Sequence, residues 1–293
     1  MCRRAFFCPG FSKIAALPDF PDGLNHDELL SFAELFGVGI GVGLVGALLG
    51  IGGGLIMVPL FMLTMMTPNG TTFQTVQQVI GTSLFGVFLN SVSGTIAYIR
   101  QKRVMFRAAL PFAAATIPGA FLGSYVTEYF SGPGFSITFG VSLAALGIFM
   151  FLKSRSRRAT ARVEDFDVAH AEFSYTIGIT LSFFVGFISS ILGIGGGVVH
   201  VPMMVFILGF PAQIAVATST FVLMVSSVIG VAGHAMLGHI VWTAAVAVGC
   251  GAFVGAQFGA KIAKKIRPSW IVILLSAIMV LLGCELFWRG VSA

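Results

Sequence analysis

Leu49–Pro59 reads LGIGGGLIMVP, and Leu192–Pro202 reads LGIGGGVVHVP. The chain thus writes one glycine-rich phrase twice, each time inside an apolar stretch. Four glycines in six residues are poor helix material, because glycine loses the most backbone freedom on ordering. Something at those two places uses the backbone itself, and the residues on either side indicate what.

Of 293 residues, 57% are hydrophobic and 10% charged. A soluble globule carries about 25% charged residues, so this chain cannot cover itself with a water-facing surface. It reads as one all-α polytopic membrane domain. The net charge of +6 does not form a nucleic-acid groove. The cations sit in three short runs beside apolar spans, Arg100–Arg107, Lys153–Arg162 and Lys261–Arg267, a distribution that records membrane orientation. Cys2, Cys8, Cys250 and Cys284 lack ligand spacing, and the last two read as small buried hydrophobes. No metal or other cofactor is expected.

Ten apolar segments follow one another: Phe32–Leu49, Gly54–Met66, Val76–Tyr98, Phe106–Val126 and Phe135–Leu152, then Phe173–Leu192, Gly197–Phe210, Ile214–Met236, Ile240–Phe258 and Trp270–Phe287. Most approach the ~20 residues that a spanning helix needs. The second and seventh, at about 13 residues, reach only ~20 Å. Each short segment directly follows a glycine phrase, so each phrase joins a long helix to a short one as a hairpin or a broken helix. If the short segments do not span, the count becomes eight spanning helices, four in each half.

The halves match beyond the phrase. Gln77 with Gly81-Thr82-Ser83 corresponds to Gln213 with Ala217-Thr218-Ser219 at one spacing, which also pairs Ser91 with Ser227 and Gly94 with Gly230. Further on, GAFLG (Gly119–Gly123) resembles GAFVG (Gly251–Gly255). This is a duplication of five segments: an N-terminal arm (1–30), repeat 1 (31–152), a basic linker (153–172) and repeat 2 (173–293). An odd number of segments per repeat turns the second copy upside down. The charges agree. The link after segment three is basic in repeat 1 and carries no Lys or Arg in repeat 2, where it reads HAMLGHI (His234–Ile240); the link after segment four reverses this, with Lys261, Lys264, Lys265 and Arg267 in repeat 2 only. Inversion puts every basic link on the cytoplasmic side of the cell (inner) membrane and both termini outside.

Inverted repeats with interrupted helices belong to secondary transporters, and a broken backbone survives in lipid only where it lines a cavity or is buried in protein. The start of a helix offers N–H groups and a partial positive charge to an anion. No Lys or Arg lies in mid-segment, so an anion would use hydrogen-bond donors: the backbone at Gly52, Gly53, Gly54, Gly195, Gly196 and Gly197, and the hydroxyls of Thr82, Ser83, Thr218 and Ser219. Asn90, Ser91, Ser226 and Ser227 lie two turns along the same helices, and Gln77 and Gln213 one to two turns nearer the surface. His200, where repeat 1 has Met57, is the ionisable group beside a phrase and a candidate proton relay. The competing reading of the glycines is close helix packing, and that of the hydroxyls is bonding to a carbonyl one turn back. His234 and His239 flank an outer link and are expected to meet water.

The paired GIGGG…VP phrases, each followed by a TS segment, resemble the sulfite exporter TauE/SafE family of permeases from Phe32 to Phe287. The resemblance implies a carrier for sulfite or a small organosulfonate, exported by alternating access in the lipid bilayer; the residues by themselves imply a small anion. An anion channel, or a carrier for another solute such as thiosulfate, is the alternative. An enzyme is not expected, since HExxH, GxSxG and mid-span carboxylates are lacking.

Overall fold

The computed structural model describes residues 26–65, 72–126, 133–154 and 173–292. The arm (except for the first residues of α1) and nearly all of the basic linker lie outside the described residues. Among the described residues, ten α-helices follow in order: α1 His26–Leu49, α2 Gly54–Thr64, α3 Val76–Arg100, α4 Phe106–Val126, α5 Pro133–Lys153, α6 Tyr175–Leu192, α7 Gly197–Pro202, α8 Ala212–Met236, α9 Trp242–Ala263 and α10 Pro268–Ser292. Among the described residues, seven helices are long and apolar enough to cross a membrane: α1, α3, α4, α6, α8, α9 and α10. Large apolar side chains such as Leu110, Leu281 and Trp288 are exposed on their outer faces. A protein surrounded by hydrocarbon has no reason to hide them. Cys250 and Cys284 belong to this outer face, contrary to the expectation that they are buried.

Both glycine phrases are hairpins. A Cβ on Gly53 would lie 2.9 Å from the side chain of Val42, and one on Gly46 would strike the backbone of Gly53, so the chain doubles back at the phrase and α2 starts beside α1. At Gly196 a Cβ would meet Val185, the same fold-back of α7 on α6. α2 is 11 residues, hence about 17 Å. α7 ends at Pro202 and continues as a π-helical turn, Met203–Ile207.

α3 and α8 run antiparallel through the centre. Gly81 packs on His239 just beyond the end of α8, Ser91 faces Ser227, and Gly94 meets Thr220 near the start of α8. Around this pair, α1 packs on α9, α4 on α6 and α5 on α10. Apolar burial does not drive helices together in lipid; close backbone approach does. Gly255 and Gly259 abut the carbonyls of Ile40 and Leu44 on α1, and Gly119 and Gly123 abut those of Phe183 and Phe187 on α6. The equivalent of GAFLG is therefore Gly255–Gly259 (GAQFG). The sequence match to GAFVG is one helical turn out of register, because both stretches repeat small residues every four positions.

The two basic links lie at one end of the molecule. Gln101 Nε2 donates to the carbonyl of Ala260 at 3.1 Å, and Gln213 Nε2 donates to those of Ala263 (3.3 Å) and Ile266 (2.7 Å). The HAMLGHI link caps the opposite end, against Gly81.

Candidate functional site

The tips of the two hairpins meet each other at the centre. A Cβ on Gly54 would lie 2.6 Å from the carbonyl oxygen of Gly193 and 2.7 Å from Cα of Ile194; one on Gly197 would strike the carbonyl of Gly50 and lie 2.7 Å from Cα of Ile51. Backbone touches backbone there, so the packing reading of these glycines holds for Gly54 and Gly197. At Gly50 and Gly193 the turn takes φ of 73° and 68°, a left-handed conformation costly to any side chain.

The Thr-Ser pairs hold the tips to the long helices by matching bonds. Ser83 Oγ donates to the carbonyl of Gly193 at 2.9 Å, and Ser219 Oγ to that of Gly50 at 3.1 Å. Each hairpin is thus fastened to the long helix of the other repeat. Thr82 Oγ1 accepts from the Val241 N–H and Thr218 Oγ1 from the Met105 N–H, both at 3.1 Å. These two bonds pin the links that lead into α9 and α4. All four side chains are buried, where a hydrogen bond left unmade costs about 1–3 kcal/mol.

Other expected residues take other places. Ser91 and Ser227 face each other across the central crossing at 3.5 Å, and each hydroxyl donates within its own helix, to Phe88 (2.9 Å) and Met224 (3.1 Å). Asn90 Nδ2 donates to the carbonyl of Gly43 at 2.9 Å; its Oδ1 is buried without a partner among the described residues. Ser226, its equivalent, is buried. Gln213 ties the α9–α10 link at the end of the molecule, and Gln77 is half-buried in the first turn of α3. Neither joins the hairpin tips.

Val87 and Leu223, absent from the expected set, sit over the tips. A Cβ at Gly52 would lie 2.7 Å from Leu223 and 2.8 Å from Val87; at Gly195 the distances are 2.7 Å and 2.6 Å. They stand 136 residues apart, the same spacing as Ser91 and Ser227, so they are equivalent positions of the two repeats, but that spacing pairs every other residue of the two helices as well. In this conformation they cover the Gly52 and Gly195 backbone with hydrocarbon.

Chain comparison bears on what such an assembly is. The model of the "Sulfite exporter TauE/SafE" family matches residues 35–286. The chain belongs to the TauE/SafE family. It is a multi-pass membrane transporter of that family. A "Probable membrane transporter protein YunE" of Bacillus subtilis is 34% identical over 89% of this chain and 99% of its own length. A "Probable membrane transporter protein" of Methanocaldococcus jannaschii is 26% identical over 89% and 97%. YfcA of Escherichia coli, also named a probable membrane transporter protein, is 23% identical over 85% and 88%. No solved structure matches the chain.

Within this TauE/SafE protein the second hairpin differs chemically from the first. His200 is 1% exposed; its Nε2 lies 3.0 Å from Ser182 Oγ, and its Nδ1 is buried without a partner among the described residues. His234 is 0% exposed, so the expectation that it meets water is wrong. Its ring reaches back to the end of α6 in place of pointing out of the link.

Proposed function

We propose that this protein is a secondary carrier for a small anion, sulfite or a small organosulfonate, working by alternating access between two inverted repeats. One observation carries the reading: two hairpin tips in backbone contact at the centre, each fastened to the other repeat by a single serine, Ser83 to Gly193 and Ser219 to Gly50. Two like half-sites joined by few, reciprocal bonds are what a rocking pair requires, since the same contacts then serve either face. The antiparallel run of α3 and α8 supports the inversion. The gathering of both basic links at one end supports a cytoplasmic assignment for that end, with the termini outside.

The transported anion competes for these bonds. It takes the hydroxyl donors of Ser83 and Ser219 from the Gly193 and Gly50 carbonyls; Thr82 and Thr218, whose oxygens accept from backbone N–H groups, offer it their hydroxyl hydrogens, and the starts of α2 and α7 face it with backbone N–H groups. Neither start has a side-chain cap, its N-cap position being Gly53 or Gly196. Val87 and Leu223 must withdraw for this to happen. Donors already spent on the protein give weak binding, which suits a permeant that has to leave again. His200 Nδ1, without a partner among the described residues, carries a proton with the anion.

The test is flux in vesicles holding the purified protein. Sulfite, sulfoacetate and thiosulfate are offered in turn, with efflux and counterflow followed. Saturable uptake accelerated by the same anion on the far side supports the carrier. Unsaturable conductance would make it a channel, and movement of thiosulfate alone would change the cargo.

A further inference from the structure

Helix α3 ends in a tight reversal. The Arg103 N–H donates to the Tyr98 carbonyl at 3.2 Å and the Lys102 N–H to that of Ile99 at 2.9 Å, with Lys102 at φ 55°. This is the Schellman arrangement, in which the residue after the left-handed one comes back against the helix. An apolar pair ordinarily makes that contact. Here the two places belong to Arg103 and Tyr98, and the guanidinium lies within electrostatic reach of the phenol. The left-handed place itself, where glycine is usual, is held by Lys102. Of the four cations in the Arg100–Arg107 run, Arg100, Lys102 and Arg107 are exposed and Arg103 is half-buried. The exposed three suffice to mark orientation. Burying part of the fourth adds nothing to that role.

Arg103 is set between groups tied to the first hairpin tip. On one side Tyr98 Oη donates at 2.6 Å to the Ala47 carbonyl, which also accepts from the Gly50 N–H. On the other side the link dips into the bundle. Val104 and Met105 are buried, and the Met105 N–H bonds Thr218 Oγ1, next to the Ser219 that holds Gly50. Two residues of chain thus lead from the guanidinium to a residue bonded to Thr218. Arg103 Nη1 is buried and makes no hydrogen bond among the described residues. A guanidinium stays charged at every physiological pH and has five N–H donors and no acceptor. A charged donor left bare inside the protein is costly. Its planar fork matches two oxygens of one oxyanion, and sulfite and sulfonates present such oxygens.

We propose that Arg103 captures the carried anion on the face bearing the basic links, gripping its oxygens before they reach Thr218 and Ser219. This rests on the anion-carrier reading, and the test keeps the two apart. Binding is read without transport, by NMR of [15N]arginine-labelled protein in detergent. Methanesulfonate should shift one guanidinium signal, and that signal should be missing from Arg103→Lys. A guanidinium serving only the carbonyls that end α3 would not respond, and an unmoved Arg103 signal would overturn the proposal. Flux is then followed in oriented vesicles, with sulfite or methanesulfonate supplied to one face at a time. Arg103→Gln should raise the half-saturating concentration on the basic face roughly tenfold, the worth of one hydrogen bond to a charge. The other face should stay within about twofold. Arg103→Lys, which keeps the charge and loses the fork, should fall between Arg103→Gln and the wild type. Lys102→Gln, which removes an exposed charge from the same turn, should stay near the wild type. Wild-type values in Arg103→Lys, an equal loss on both faces, or an equal loss in Lys102→Gln would each overturn the proposal. A shifted Arg103 signal with no flux of either anion would overturn the carrier reading and leave the anion site standing.

Discussion

The two hairpins agree through their turns and part company after them. Gly50 and Gly193 take the same left-handed turn and Gly52 and Gly195 the same next one, but Gly53 has φ 83° where Gly196 has −49°. Beyond that point the first hairpin places Met57, whose sulfur lies against Gly86, and the second places His200, bonded to Ser182. The position equivalent to Ser182 is Gly39, where a Cβ would strike the Val248 carbonyl of α9. A histidine–serine pair thus has room in the second hairpin and none in the first. The residues where the hairpins touch one another are held in common; those facing only their own half are free to differ. A site used from both faces needs a symmetric centre, whereas proton chemistry needs only one copy.

The largest effects should come from breaking the shared centre. In Gly54→Ala and Gly197→Ala, a methyl group would drive into the backbone of the opposite hairpin. Overpacking of that kind costs about 1–3 kcal/mol or more. Both variants should lose flux entirely and melt earlier, while Gly41→Ala, whose Cβ would meet nothing, should behave as the wild type. Normal transport by either tip variant would mean that the two hairpins separate too readily for their contact to matter.

The fastenings come next. Thr82→Ala/Ser83→Ala and Thr218→Ala/Ser219→Ala each delete one bond to a hairpin tip and one to a link. If the same hydroxyls hold the anion, each lost bond to a charged group is worth about 1.5–3 kcal/mol, so apparent affinity should fall at least tenfold in both. Combined, the two pairs of changes should be non-additive, because residues sharing one ligand are coupled. A large loss from one repeat and none from the other would make the site one-sided and leave the second glycine phrase to the fold.

A smaller effect is expected where the hairpins differ. His200 sits at the centre, so His200→Gln should flatten the pH dependence of flux between about pH 5 and 8 whichever face is titrated. An unchanged profile in His200→Gln would reduce His200 to a buried side chain bonded to Ser182, the polar stand-in for Met57.

Much of this was legible in the residues. The ten segments, the two short ones and the pairing of Thr82-Ser83 with Thr218-Ser219 follow from hydropathy and repetition, which act locally along the chain. The hairpin geometry did not follow, because a broken helix and a fold-back have the same composition; only Gly53 lying against Val42 decides between them. The register of GAFLG was lost because a glycine ridge repeats every turn and matches itself one turn away. His234 was misplaced for a similar reason. A histidine at a helix end next to a polar link reads as wetted, and nothing local shows the Ser190 carbonyl waiting across the bundle. Val87 and Leu223 look like any other apolar residues until the tips beneath them are known.

The smallest perturbation tests the inversion on which the comparison of halves depends. Lys102 and Gly238 occupy the same turn in the two repeats, both exposed and both with positive φ. A cysteine there touches no packed element, since a Cβ on Gly238 would meet nothing within 4 Å, and strain at one left-handed residue costs only about 1–2 kcal/mol. Lys102→Cys and Gly238→Cys, made in a chain whose four native cysteines are replaced by serine, should therefore transport nearly as well as the parent. Cys250 and Cys284 are exposed on the outer face of the bundle, so their replacement should be silent. A membrane-impermeant maleimide added to intact cells should label the cysteine at 238 and spare the one at 102 until the membrane is opened, because the proposed orientation turns the basic links beside Lys102 to the cytoplasm. Equal labelling of both from outside would place the two turns on one face. The matched bonds of Ser83 and Ser219 would then describe a duplication that never turned over, and alternation between faces would need another cause.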